Sequence, residues 1–191
     1  MTEQMDILQG YVNDMLAVEH EMHQAFRRQK HSDTPSSHPA SAQLIARIED
    51  TIDAHIVELK RALERLGGSE SMLKSAVGKA LGAAAGIYNQ VRSDRVSTMV
   101  RDDLAALNFA VACYQMLHTT ALAMHDQPLA DTALRHIKDF TPQIMDLSEV
   151  LPGAVLSDLE REQKVTADDS VADEARKNTR EAWTQGASVV H

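Results

Sequence analysis

Apolar residues recur at steps of three and four along most of this chain, the period of α-helices with one face turned inward. Leu8, Tyr11, Met15, Val18, Met22 and Phe26 predict a first helix over about Asp6 to Lys30, and the polar HSDTPSSHP, His31 to Pro39, ends it. The stripe Leu44, Ile48, Ile52, His55, Leu59, Leu63 and Leu66 predicts a second helix over about Ala40 to Leu66. Gly67 and Gly68 stop it, because glycine readily takes the left-handed conformation that follows a helix. The short loop makes these two helices antiparallel neighbours. Ser71 to Arg92 reads as a further helix with Gly78, Gly82 and Gly86 along one side, where another backbone can approach closely. Lys74, Lys79 and Arg92 interrupt that segment, which favours packing within the protein over a membrane contact.

A third long helix is expected over about Asp94 to His125. A fourth, over about Leu129 to Val150, carries Leu129, Ala133, Ile137, Phe140, Ile144 and Leu147 inward, with a kink at Pro142. LPG at Leu151 to Gly153 predicts a turn, followed by a short helix over Ala154 to Gln163. VTADDSVADE has too little apolar surface to order itself and reads as a linker, and ARKNTREAWT as one or two helical turns docked through Trp183. The expected fold is all-α: a four-helix bundle over residues 1–163, with a helical crossover between helices two and three, then a linker and flexible C-terminal tail over 164–191.

Composition narrows the function classes. The 43% apolar content suits one well-buried domain, and the net charge of −9, spread without a basic stripe, argues against a nucleic-acid surface. No run of about eighteen apolar residues is present, and MTEQMDILQG lacks the basic and apolar regions of a secretory signal. A cytoplasmic protein with no membrane segment is expected. The single cysteine, Cys113, permits no internal disulfide and sits where it packs as a small hydrophobe.

His55 changes the picture, because an imidazole on an apolar stripe needs a partner. A carboxylate-bridged di-iron bundle takes a Glu from each of two helices and a Glu-x-x-His pair from each of the other two. The first helix offers Glu19 within VEHEMH, one position off its central stripe, beside His20 and Glu21 on a solvated polar face. In the second helix Ile52 stands three before His55; Glu58, one turn on from His55, is expected to contact Arg61 or Arg65 along the helix, the alternative being that it meets a metal with His55 in an unusual arrangement. The middle of the third helix, AALNFAVACYQML, has no carboxylate, and in the fourth Ala133 precedes His136 while Asp139 follows it. A histidine set of His55, His118 and His136 would favour zinc, copper or nickel. The methionines at helical spacing read as core filler. No P-loop, dinucleotide fingerprint or G-x-S-x-G elbow is present.

These segments together resemble the ferritin-like superfamily, particularly bacterial stress-associated proteins of the YciF type. The resemblance covers about Asp6 to Leu159 through the Glu19 region, IEDTIDAHIVELKRALERLGG, the Gly-rich crossover, RDDLAALNFAVACYQMLHTTALA and HIKDFTPQIMDLSEVLP. It implies a two-iron centre that oxidises iron or activates oxygen, with Glu19 at the first-helix ligand and His55 at the histidine of the second. Ile52, Ala110 or Cys113, and Ala133 stand where the other ligands belong. The expectation is therefore a non-catalytic association or stress-related protein, a homodimer or the companion of another protein, with no enzymatic activity and no resident cofactor. The alternative is a metal-binding or iron-oxidising protein whose nonstandard centre uses Glu19, His55, His118 and His136 and takes iron, manganese or zinc.

Overall fold

The computed structural model describes residues 2–32, 38–69, 95–166 and 168–189. All regular structure among them is helical: α1 (Thr2–Lys30), α2 (Pro39–Arg65), α3 (Val96–Ala123), α4 (Gln127–Arg161) and α5 (Asp169–Val189). The Gly-rich segment expected to cross between helices two and three lies outside the described residues. No described helix is long and apolar enough to cross a membrane.

Side-chain pairs fix the helix directions. Gln9 donates to the Leu66 carbonyl, Glu19 meets His55 and Lys30 meets Glu49, so α1 and α2 are antiparallel. Gln29 donates to Asp103 and Tyr114 to Glu19, so α3 also runs against α1. Arg65 with Asp126, Arg135 with Glu58 and Arg47 with Asp146 set α4 against α2. Each of these four helices packs on two of the others, with α2 and α3 on a diagonal and pointing the same way. Ser69 and Arg95 therefore stand at opposite ends of the assembly. Leu16, Phe26, Ile48, Ile52, Leu59, Leu107, Leu117, Leu129 and Phe140 fill the single core between them.

Local chemistry sets the helix ends. The His38 ring accepts from the Ser41 amide to cap α2, and Pro39 follows at the first helical position, where no backbone donor is needed. Gly67, at φ +76°, ends α2 as its sequence position predicts. Asp126 caps α4 through the Leu129 amide while taking a bidentate pair from Arg65. The N-terminus of α3 is capped from a different helix. Asp158 accepts from the amides of Val96 at 3.1 Å and Ser97 at 2.8 Å. Replacing Asp158 by Ala strands both donors beside the core and is expected to lower the unfolding free energy by about 2 kcal/mol in urea titration, with helicity retained.

Two expectations about the chain after Val150 are corrected. LPG is not a turn: α4 continues through Pro142, Pro152 and Gly153 to Arg161. Each proline removes one helical hydrogen bond, but Leu147, Ala154 and Asp158 are buried beyond the first, and this packing holds the helix together. Gly153 serves a close approach, since a Cβ there would lie 3.0 Å from the Arg176 guanidinium. The second correction concerns the tail. Residues from Asp169 onward form α5, where a linker and one or two turns were expected. Ala172 is buried, Arg176 donates to the Glu149 carbonyl, and Arg180 grips the Glu149 carboxylate. Trp183 does not dock and stays 44% exposed. The amphipathic stripe was too short in apolar residues to be seen, because arginines make the contact.

Candidate metal centre

Midway along the four packed helices, each contributes one polar residue to a buried layer: Glu19, His55, Tyr114 and His136. His55 Nδ1 lies 3.1 Å from Glu19 Oε1, and the Tyr114 hydroxyl donates to the same oxygen at 2.5 Å. The two imidazoles stack at 3.7 Å with 10° between their planes. Tyr114 presents its ring edge-on to both, and Phe140 closes another side of His55 at 4.7 Å.

The outward nitrogens of both histidines face carboxylates. His55 Nε2 lies 3.3 Å from Asp139 Oδ2, and His136 Nε2 lies 3.1 Å from Glu58 Oε2. That Glu58 oxygen also accepts from Arg135 at 2.6 Å. Burial pushes the Glu58 carboxyl up, but the hydrogen bonds from Arg135 and His136 outweigh it and hold the group below its ordinary value. Burial, followed by the charge of His55, drives the His136 imidazole down to about 3 against the pull of Glu58. His136 is thus neutral near pH 7. With its proton on Nε2 toward Glu58, the Nδ1 lone pair points inward. Burial, then the Glu19 charge, holds the Tyr114 phenol well above its usual range, so it remains a donor.

Two atoms of this layer are buried without a hydrogen-bond partner: Glu19 Oε2 and His136 Nδ1. Both are acceptors in these protonation states, and leaving such groups dry and unpaired is costly. One donor atom each from Glu19, His55 and His136 lies within 4.8 Å of the others, the only such group of three or more among the described residues. Two imidazoles and a carboxylate are ligands for a first-row transition ion, and a histidine ligand ordinarily gives its other ring N–H to a carboxylate, as both do here.

Three of the four expected metal residues, Glu19, His55 and His136, therefore come together. His118 does not join them. It lies one turn past Tyr114 on α3, half-buried, with Nδ1 2.8 Å from the Ala130 carbonyl at the start of α4. Glu58 is also corrected: it reaches across to α4 and pairs with Arg135 and His136 instead of Arg61 or Arg65. Ile52 and Ala133 are buried apolar residues, so the two positions that would complete Glu-x-x-His pairs supply no ligand. Tyr114 was not singled out by sequence, although it carried a signal in its place on the buried stripe of α3. Glu58 and Asp139 stand near the histidines in the sequence, but their pairing across helices, Asp139 with His55 and Glu58 with His136, is set by the fold. No protein-family model matches this chain, and no curated protein or solved structure shows significant similarity to it.

Proposed function

We propose that this protein binds one divalent first-row transition metal ion per chain through Glu19, His55 and His136. The observation that carries this reading is the pair of buried, unpartnered acceptors, Glu19 Oε2 and His136 Nδ1, beside His55. In the metal-free arrangement His55 faces carboxylates from both nitrogens and can donate to both only as the imidazolium. A cation replaces the inner proton, leaving the Nε2–H bond to Asp139 in place. The donor set suits iron(II), manganese(II) or zinc, and three protein ligands leave open positions, so the bound ion supplies a Lewis-acid or redox centre to a small ligand.

The helix directions support a ferritin-like four-helix arrangement, since parallel, diagonal α2 and α3 require a connection spanning the assembly. Within that arrangement a three-ligand, single-ion centre replaces the two-iron one. A purely associative role drew on Gly78, Gly82 and Gly86, which lie outside the described residues.

Untagged protein purified without chelator is expected to carry close to one equivalent of iron, manganese or zinc by elemental analysis. Chelation is expected to lower the thermal midpoint, because an ion bound only to the native state stabilises it by mass action. His136→Ala should lose the ion while retaining its helical circular dichroism. A wild-type chain that remains metal-free after zinc or iron(II) titration, with an unchanged midpoint, overturns the reading.

A further inference from the structure

Beside this layer, between the last turns of α2 and the first turns of α4, an open cavity of about 320 Å³ is lined by Arg61, Arg65, Thr132, Arg135 and Glu58, among others. Three guanidinium groups thus face one carboxylate. In a chain of net charge −9 this concentration of positive charge stands against the overall field. Arg65 is held by Asp126 and Arg135 by Glu58, which fixes two forks at the cavity wall. Arg61, exposed at the cavity mouth, has no ion pair among the described residues. The first turn of α4 adds the positive end of a helix dipole, partly offset by its Asp126 cap.

We propose that this cavity binds a small dianion of the dicarboxylate or phosphate-ester class. Planar guanidinium groups recognise both chemistries through paired N–H bonds. The cavity has room for an organic body beyond the anionic head. Arg61 supplies the uncompensated charge, and Arg65 and Arg135 supply the preset geometry.

A regulatory consequence rests on the metal reading above, whereas the anion site itself does not. Glu58 Oε2 accepts from both Arg135 and His136 Nε2. A dianion that draws Arg135 toward the cavity leaves more of the Glu58 charge for His136, making that imidazole a stronger ligand. Anion and metal affinities are then coupled, and by linkage the coupling is reciprocal.

The test is calorimetric titration of the full, metal-free chain at low salt with inorganic phosphate and, separately, malonate. One saturable equivalent of either is expected, weakened about tenfold or more in Arg61→Gln and unchanged in Arg27→Gln at the opposite end of α2's partner helix. Whichever probe binds more tightly identifies the ligand class. Amide shift mapping on the wild-type chain provides a readout independent of any variant, with perturbations expected at Arg61, Arg65, Thr132 and Arg135. No saturable binding of either probe, equal loss in both variants, or shifts centred elsewhere overturns the site. Zinc titration with and without the anion separates the two readings. Unchanged zinc affinity removes only the coupling, and anion binding in a chain that takes no metal removes only the metal centre.

Discussion

The metal-free protein is expected to lose about 2 kcal/mol of unfolding free energy between about pH 6.5 and pH 8, and Asp103→Asn is expected to abolish that loss. Asp103 is fully buried on α3, and burial, with a smaller push from Asp102 and against the Gln29 hydrogen bond, raises its carboxyl to about 8. An acid raised in the folded state keeps its proton after the unfolded chain has released it. Its contribution is complete below its ordinary value of 3.8 and is lost as pH rises to about 8. His136 acts in the opposite sense. Its folded value near 3 against an ordinary 6.5 makes stability rise with pH between those limits. These two slopes oppose each other from about pH 4 to pH 6.5, and between pH 6.5 and pH 8 the loss at Asp103 is no longer opposed by His136.

Asn is the informative replacement because the site contains an amide partner. Gln29 Nε2 donates to Asp103 Oδ1 at 2.7 Å, while Asp103 Oδ2 and Gln29 Oε1 are both buried without partners. A proton on Asp103 supplies a donor to this pair, and an Asn side-chain N–H supplies one at every pH. Urea unfolding should find the variant close to wild type only below about pH 4, and its advantage should widen by about 2 kcal/mol between about pH 6.5 and pH 8.5. A wild-type curve flat from pH 6.5 to 8.5 would show that Asp103 ionises without cost and that the pair is hydrated.

The helices and their inward faces were legible because burial follows one repeat with few exceptions. On α3, Val96, Val100, Asp103, Leu107, Ala110, Tyr114, Leu117 and Ala121 are all buried and separated by alternating steps of four and three. On α1, Leu8, Val12, Met15, Glu19, Met22 and Phe26 follow the same steps. Such a seam keeps one stripe against neighbouring helices over many turns. Glu19 and Asp103 occupy regular seam positions, so their burial could have been read from the heptad. A stripe drawn through Val18, which is also buried, sets Glu19 one position off, and the neighbouring buried pair hides the heptad.

Other features had no such signal. Tyr114 reads as an ordinary core aromatic until Glu19 is brought to its hydroxyl from a residue 95 positions away. His118 and His136 look alike on paper, and only the stagger of α3 against α4 sends one to a backbone carbonyl and the other to the buried layer. LPG carries genuine breaker residues, and tertiary packing overrides them. The docking of α5 depends on Arg176 and Arg180, residues whose usual place is solvent, and on one carboxylate, Glu149, in a distant part of the sequence.

Glu19→Ala is expected to be the most damaging single substitution in the buried layer, lowering the unfolding free energy of the metal-free protein by about 3–5 kcal/mol. Glu19 Oε1 is the common acceptor for Tyr114 and His55, and neither donor can reach water once it is gone. The loss therefore combines a cavity, an orphaned phenol and an imidazole nitrogen left without its inner partner. Tyr114→Phe removes only the phenol bond and is expected to cost about 1–3 kcal/mol. Glu19→Gln separates the electrostatic part: its carbonyl still accepts from Tyr114, its volume is unchanged, and its charge is gone. The stability order wild type, Tyr114→Phe, Glu19→Gln, Glu19→Ala is expected in urea at constant pH, with both Glu19 variants losing the metal and Tyr114→Phe retaining it more weakly. A Glu19→Ala protein within about 1 kcal/mol of wild type would mean that water enters the layer and solvates His55. The unpartnered Glu19 Oε2 and His136 Nδ1 would then be hydrated as well, and the case for a metal centre would fall with them.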